Sequence, residues 1–104
     1  MGTRRRAVIT GIGAISPNGL GREAFWQATR AGHSGVRRVE AFAEAKLAVQ
    51  IGGFAEQFEP GRYMEERELP HVSRVVPLLL AASAEALADA GVDAAALELE
   101  QRRR

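Results

Sequence analysis

Gly11-Ile12-Gly13 directly follows the apolar run Ala7-Val8-Ile9-Thr10, and glycines so placed can bring backbone N–H groups close to a phosphate. A dinucleotide fingerprint also needs a third glycine and a helix that opens at once. Here the third position is Ser16, and Pro17-Asn18-Gly19 makes a turn instead. No acid is clearly placed to hold a ribose, so no nucleotide cofactor is expected. The two imidazoles are His33 and His71. Neither has partners at metal-ligand spacing, so no metal is expected. Neither belongs to a constellation of base partner and nucleophile such as catalysis needs, so no catalytic duty is expected of either. The sequence contains no cysteine, which excludes a disulfide framework, a thiolate metal site and a thiol nucleophile within these residues.

The frame that must position these residues is short. At 104 residues the chain allows one small domain with a thin core. Its 46% apolar and 26% charged composition suits a soluble globular class. Fourteen Lys and Arg against thirteen Asp and Glu leave a net charge of +1, which gives no general attraction to nucleic acid or anionic lipid. Charge is uneven, however: residues 1–38 hold seven Arg against the single Glu23. Arg4-Arg5-Arg6 and Arg102-Arg103-Arg104 read as solvated flanking charges and not as nucleic-acid patches. Glycines interrupt the first apolar run and no cleavage site follows it, so it is not read as a signal peptide. No stretch reaches the length of a membrane span. A cytoplasmic protein without membrane attachment is expected.

Ala7–Thr10 is β-branched without polar alternation, the pattern of a strand buried on both faces of a parallel sheet. Arg22–Ala31 predicts a helix, with Gly32 as its left-handed cap and with Phe25 and Trp26 serving as core. Leu47–Ile51 alternates with period two and predicts a second strand ending at Gly52-Gly53. After the Glu59-Pro60-Gly61 turn, Tyr63–Leu69 is charged enough to lie at the surface as a helical turn. Val72–Ala90 predicts a buried helix that either begins near Pro77 or kinks there, and Gly91 ends it. Gly11, Gly13, Ser16, Pro17 and Gly19 read as a tight exit from the first strand. The pattern is α/β yet incomplete: two buried-type strands are too few for a parallel sheet, and the long helix needs partners on more than one side.

Val8-Ile9-Thr10-Gly11-Ile12-Gly13-Ala14-Ile15-Ser16-Pro17-Asn18-Gly19, then Phe25-Trp26, then Gly32-His33-Ser34-Gly35-Val36, resembles the opening of a β-ketoacyl-acyl carrier protein synthase. Phe42, Leu47–Phe54 and Phe58-Glu59-Pro60 continue the likeness, as do Val72-Ser73-Arg74 and the helix Ala81–Gly91. The resemblance covers residues 4 to about 97 in register. It implies that residues 1–104 are a partial N-terminal domain of the thiolase-like αβαβα fold, which usually forms a homodimer. It also implies a decarboxylative Claisen condensation of an acyl thioester with malonyl-carrier protein, in fatty-acid or polyketide synthesis. An elbow cysteine and two histidines carry that chemistry. None of the three maps onto this chain, so the 104 residues alone are expected to be inactive. In relatives, basic residues leading into the long helix meet the acidic carrier protein. Arg67 and His71 fall at matching places with Arg74 nearby, while Pro70 replaces a residue often basic. Arg67 could equally serve only to balance Glu65, Glu66 and Glu68. The alternative is a non-catalytic synthase-like protein, of the chain-length-factor type or a truncated product, that binds carrier protein or a synthase protomer.

Overall fold

A computed structural model describes residues 2–97. It contains a hairpin of β1 (Ile15–Ser16) and β2 (Gly19–Leu20), then α1 (Arg22–Arg30), β3 (Val36–Arg38), α2 (Glu40–Glu44), β4 (Ile51–Gly53) and α3 (Val75–Ala90). Single 3-10 turns at Pro60–Arg62 and Leu69–His71 lie between β4 and α3. Helices and small sheets are thus mixed along the chain, an α/β arrangement.

Both sheets are two-stranded and antiparallel, so the expected parallel pairing is absent among the described residues. Ile15 faces Leu20 and Ser16 faces Gly19, which leaves Pro17-Asn18 as the turn. Ser16 Oγ closes it, accepting from the Asn18 N–H at 3.2 Å and donating to the Gly19 carbonyl at 3.3 Å. The turn then leans on the second sheet. Asn18 Nδ2 donates to the His33 carbonyl at 3.1 Å, and Gly35 and Gly53 admit the Pro17 ring where a Cβ would collide with it.

Ala7–Thr10 forms no strand, and Val8 and Ile9 are 79% and 84% exposed. A strand of this composition is held by neighbours on both edges and both faces, and the described residues place none beside it. The second strand is also displaced from expectation. It runs Ile51–Gly53 and pairs with β3, a strand for which Ser34-Gly35-Val36 gave no signal. The cause lies in α2. Lys46 takes a left-handed conformation (φ 54°), its N–H donates to the Ala43 carbonyl, and the Leu47 N–H reaches back to the Phe42 carbonyl, both at 3.0 Å. This double closure caps a helix, and it consumes Leu47 before extended structure can begin.

The other two helices end in the same way. Gly32 (φ 74°) follows α1, with Gly32 N–H to Thr29 and His33 N–H to Ala28. Gly91 (φ 68°) follows α3, with Gly91 N–H to Ala88 and Val92 N–H to Leu87. Pro77 occupies the first turn of α3, where no N–H is needed, so the helix begins beside it and does not kink.

Burial is sparse. Among the described residues only Phe58, Pro77 and Ala81 are buried. The expectation of a buried α3 is corrected for these residues: Leu79 is 65% exposed, and Val75, Leu80 and Leu87 are also open, because the partners such a helix needs on more than one side are not among the described residues. Phe25 and Trp26 are likewise exposed and not core, because α1 lies against the small hairpin and not over a broad sheet.

Candidate functional site

Helix α3 organises what surrounds it through two acids four residues apart. That spacing puts Glu85 and Asp89 on one face. Glu85 accepts from the Ala14 N–H at 2.9 Å through Oε2 and from the Arg22 N–H at 2.8 Å through Oε1. Asp89 accepts from the Ile12 N–H at 3.0 Å and pairs with the Arg22 guanidinium. Gly21, the cap residue of α1, has no side chain, and none caps the helix locally. The Glu85 carboxylate therefore does so from another helix, satisfying an orphan donor and complementing the helix dipole.

Gly11 and Gly13 allow this grip. A Cβ on Gly13 would strike the Ala82 carbonyl and stand 2.9 Å from the Ala86 nitrogen; one on Gly11 would stand 2.7 Å from the Ala90 nitrogen. Neither glycine has positive φ, so the reason for glycine is close approach and not an unusual turn. This arrangement is structural. No helix opens at Gly13, because the β1–β2 hairpin separates it from α1.

The second cluster leads into α3. The Phe58 ring, 5% exposed, stacks on Tyr63 with centroids 5.7 Å apart and planes at 17°. The Arg74 guanidinium lies 5.9 Å from the centroid of the same Phe58 ring, and its Nη2 donates to the Ala55 carbonyl at 2.9 Å. Between these anchors run residues 64–73. Arg67 is exposed there and pairs with Glu65 at 2.6 Å, and His71 is exposed at the end of the second 3-10 turn. The structure thus sets Arg67, His71 and Arg74 along one segment but gives them different surroundings. A cleft of 360 Å³ opens beside this cluster, lined by Ile15, Leu20, Phe58, Arg62, Tyr63 and Glu85 among others.

His33 is exposed after α1, where its backbone serves the helix cap and the hairpin turn. Sequence reasoning did not single out Glu85 and Asp89, although two acids at helical spacing in an otherwise apolar helix were a legible signal. It also passed over Phe58 and Tyr63 as anchors, which only the fold brings together.

Comparison with known proteins gives the cluster its context. Residues 4–103 match the family described as "Beta-ketoacyl synthase, N-terminal domain". The tetracenomycin polyketide synthase ketoacyl synthase beta subunit of Streptomyces glaucescens is 38% identical over 86 residues, which is 83% of this chain and 21% of that protein. The alpha subunit of the same synthase is 36% identical over 98 residues, 93% of this chain and 23% of that protein. The 3-oxoacyl-[acyl-carrier-protein] synthase 2 of Vibrio cholerae is 31% identical over 91 residues, 88% of this chain and 22% of that protein. The chain therefore spans about a fifth of the length of these curated relatives. With the match running through the hairpin, the glycine contacts and the α3 acids alike, the chain belongs to the β-ketoacyl synthase family, in its N-terminal domain.

Proposed function

We propose that these residues serve as the N-terminal scaffold of a 3-oxoacyl-acyl carrier protein synthase with a thiolase-like fold, acting as a cytoplasmic homodimer. The reaction is the decarboxylative Claisen condensation of an acyl thioester with malonyl-carrier protein, in polyketide or fatty-acid synthesis. The observation that carries this reading is the family match over residues 4–103. The scaffold supplies position and not bond-making: α3 fixes the glycine segment and α1, and the nucleophilic cysteine and the histidines come from sequence outside these residues. No helix among the described residues is long and apolar enough to cross a membrane. The test is to assay the longest natural form of the protein for condensation of acyl- and malonyl-carrier protein, with the 104-residue chain alongside. Product from the former and none from the latter supports the reading. Product from the 104-residue chain overturns the assignment of the chemistry elsewhere.

The segment leading into α3, with Arg67, His71 and Arg74, is the carrier-protein docking element in this reading. Opposed charges of this kind set association rate more than affinity. Arg67→Ala is expected to slow association with acidic carrier protein at low salt, with the difference shrinking as ionic strength rises. An association rate indifferent to both the substitution and salt would remove the docking role.

A second reading draws on the beta-subunit relative, which is as similar here as its alpha partner. In it the protein is a non-catalytic, chain-length-factor type homologue that binds carrier protein or a synthase protomer. An elbow cysteine in the longest natural form separates the first reading from the second.

A further inference from the structure

All three basic residues along the segment that leads into α3 are exposed, and Arg74 is the one whose guanidinium reaches back across the segment to residues that precede it. We infer that Arg74 is a positioning residue: its guanidinium, held over Phe58 and bonded to the Ala55 carbonyl, closes the base of the 64–73 loop and so fixes how Arg67 and His71 are presented. This inference rests on the docking reading above for its functional meaning, but not for its structural content.

The geometry is that of a loop pinned at both ends on one ring. Tyr63, immediately before the loop, stacks on Phe58 at 5.7 Å; Arg74, immediately after it, sits 5.9 Å from the same ring. Phe58 is one of the three buried side chains among the described residues, so the ring is a fixed post in a chain that has few. Between its ends, which are tied to the adjoining turn and helix by Met64 N–H to Pro60 and Val76 N–H to Ser73, the loop's hydrogen bonds are local turns: Glu68 N–H to Glu65, His71 N–H to Glu68 and Val72 N–H to Leu69. Such turns shape a loop but do not attach it to the rest of the fold. A compact surface loop whose ends are held together is presented as a unit.

Arginine suits the position because one planar group both stacks on a ring and donates in its own plane. A lysine keeps the charge but cannot do both in one fixed geometry. Arg74 is exposed like Arg67; what sets it apart is the reach of its contacts, to Phe58 and Ala55 before the loop, whereas the Arg67 guanidinium meets the carboxylate of Glu65 within the loop itself.

The experiment uses the longest natural form of the protein with Arg74→Lys, Phe58→Leu and Arg67→Ala. Two quantities are read: hydrogen exchange across residues 64–73, and the association rate with carrier protein as salt is varied. The inference expects Arg74→Lys and Phe58→Leu, neither of which changes net charge, to raise exchange in the loop by about tenfold and to slow association by a common factor. Their salt dependence should remain that of the parent. Arg67→Ala should leave exchange unchanged and weaken the salt dependence. If Arg74→Lys leaves both exchange and rate at the parent level, Arg74 acts as a charge and the inference fails. If Phe58→Leu proves too unstable to prepare, Arg74→Lys decides alone. If carrier protein does not bind the parent at all, the docking reading falls, and loop exchange in Arg74→Lys still decides whether the clamp exists.

Discussion

Gly13→Ala tests whether the glycines are required by close approach. The added methyl would drive into the Ala82 carbonyl oxygen and stand 2.8 Å from its carbon and 2.9 Å from the Ala86 nitrogen. Those atoms belong to the backbone of a regular helix, so they cannot rotate aside as a side-chain tip would. The segment must lift from α3 until ordinary contact is restored. That lift loosens two bonds to carboxylates, Ala14 N–H to Glu85 at 2.9 Å and Ile12 N–H to Asp89 at 3.0 Å. Hydrogen bonds to charged groups contribute roughly 1.5–3 kcal/mol each, and partial exposure places these toward the lower end. Overpacking against fixed atoms costs about 1–3 kcal/mol. The two costs are alternatives in part, since a segment that lifts relieves the clash, so the expected loss is about 2–4 kcal/mol. Denaturant unfolding of the longest natural form measures it, with Gly61→Ala as control. Gly61 has open space around its Cβ position and no positive φ, so its substitution should change stability by less than about 0.5 kcal/mol. A Gly13→Ala protein as stable as the control would refute the close-packing argument.

Glu85→Gln should cost about 1–3 kcal/mol, because a neutral amide has one oxygen where the carboxylate uses two to receive the Ala14 and Arg22 N–H groups; thermal unfolding against the parent measures it, and no change would show the carboxylate to be dispensable. Lys46→Gly should stabilise by up to about 1 kcal/mol by relieving a left-handed lysine at φ 54°, which denaturant unfolding reads, whereas a loss would mean that the Lys46 side chain contributes more than its backbone costs. The isolated 104-residue chain should lack a cooperative, concentration-independent melt and should bind an apolar dye, since only three of its described residues are buried; calorimetry of a verified monomer showing a sharp two-state transition would contradict this.

What was legible in the sequence was local. The helix over Arg22–Arg30, its glycine cap at Gly32, the Pro17-Asn18 turn, the start of α3 beside Pro77 and its end at Gly91 are each set by residues within one or two turns of one another. What was illegible was pairing. Val8 and Ile9 carry the composition of a buried strand, but composition states only what environment a segment fits and not whether a partner is present. The displaced second strand has a subtler cause. Leu47–Ile51 alternates as a strand should, yet Lys46 spends Leu47 on closing α2, and a lysine in the left-handed region leaves no mark a reader would trust. Of the candidate docking residues, the sequence set Arg67, His71 and Arg74 on equal terms, and the ring that distinguishes Arg74 lies sixteen residues away at Phe58.

The two acids of α3 connect these observations. A helix as apolar as Val75–Ala90 could pack against neighbours in several rotations and registers, since apolar contact is not directional. Hydrogen bonds from Ile12, Ala14 and Arg22 to Asp89 and Glu85 are directional, and the glycines at 11 and 13 permit the close approach those bonds need. The open apolar face, with Val75, Leu79 and Leu80 exposed, is then presented in one orientation. Among the described residues, where few side chains are buried, the order of the scaffold comes from this polar grip. Apolar burial on the open side can follow once α3 is already fixed, which is why loss of a single backbone approach at Gly13 should be felt across both α1 and the glycine segment.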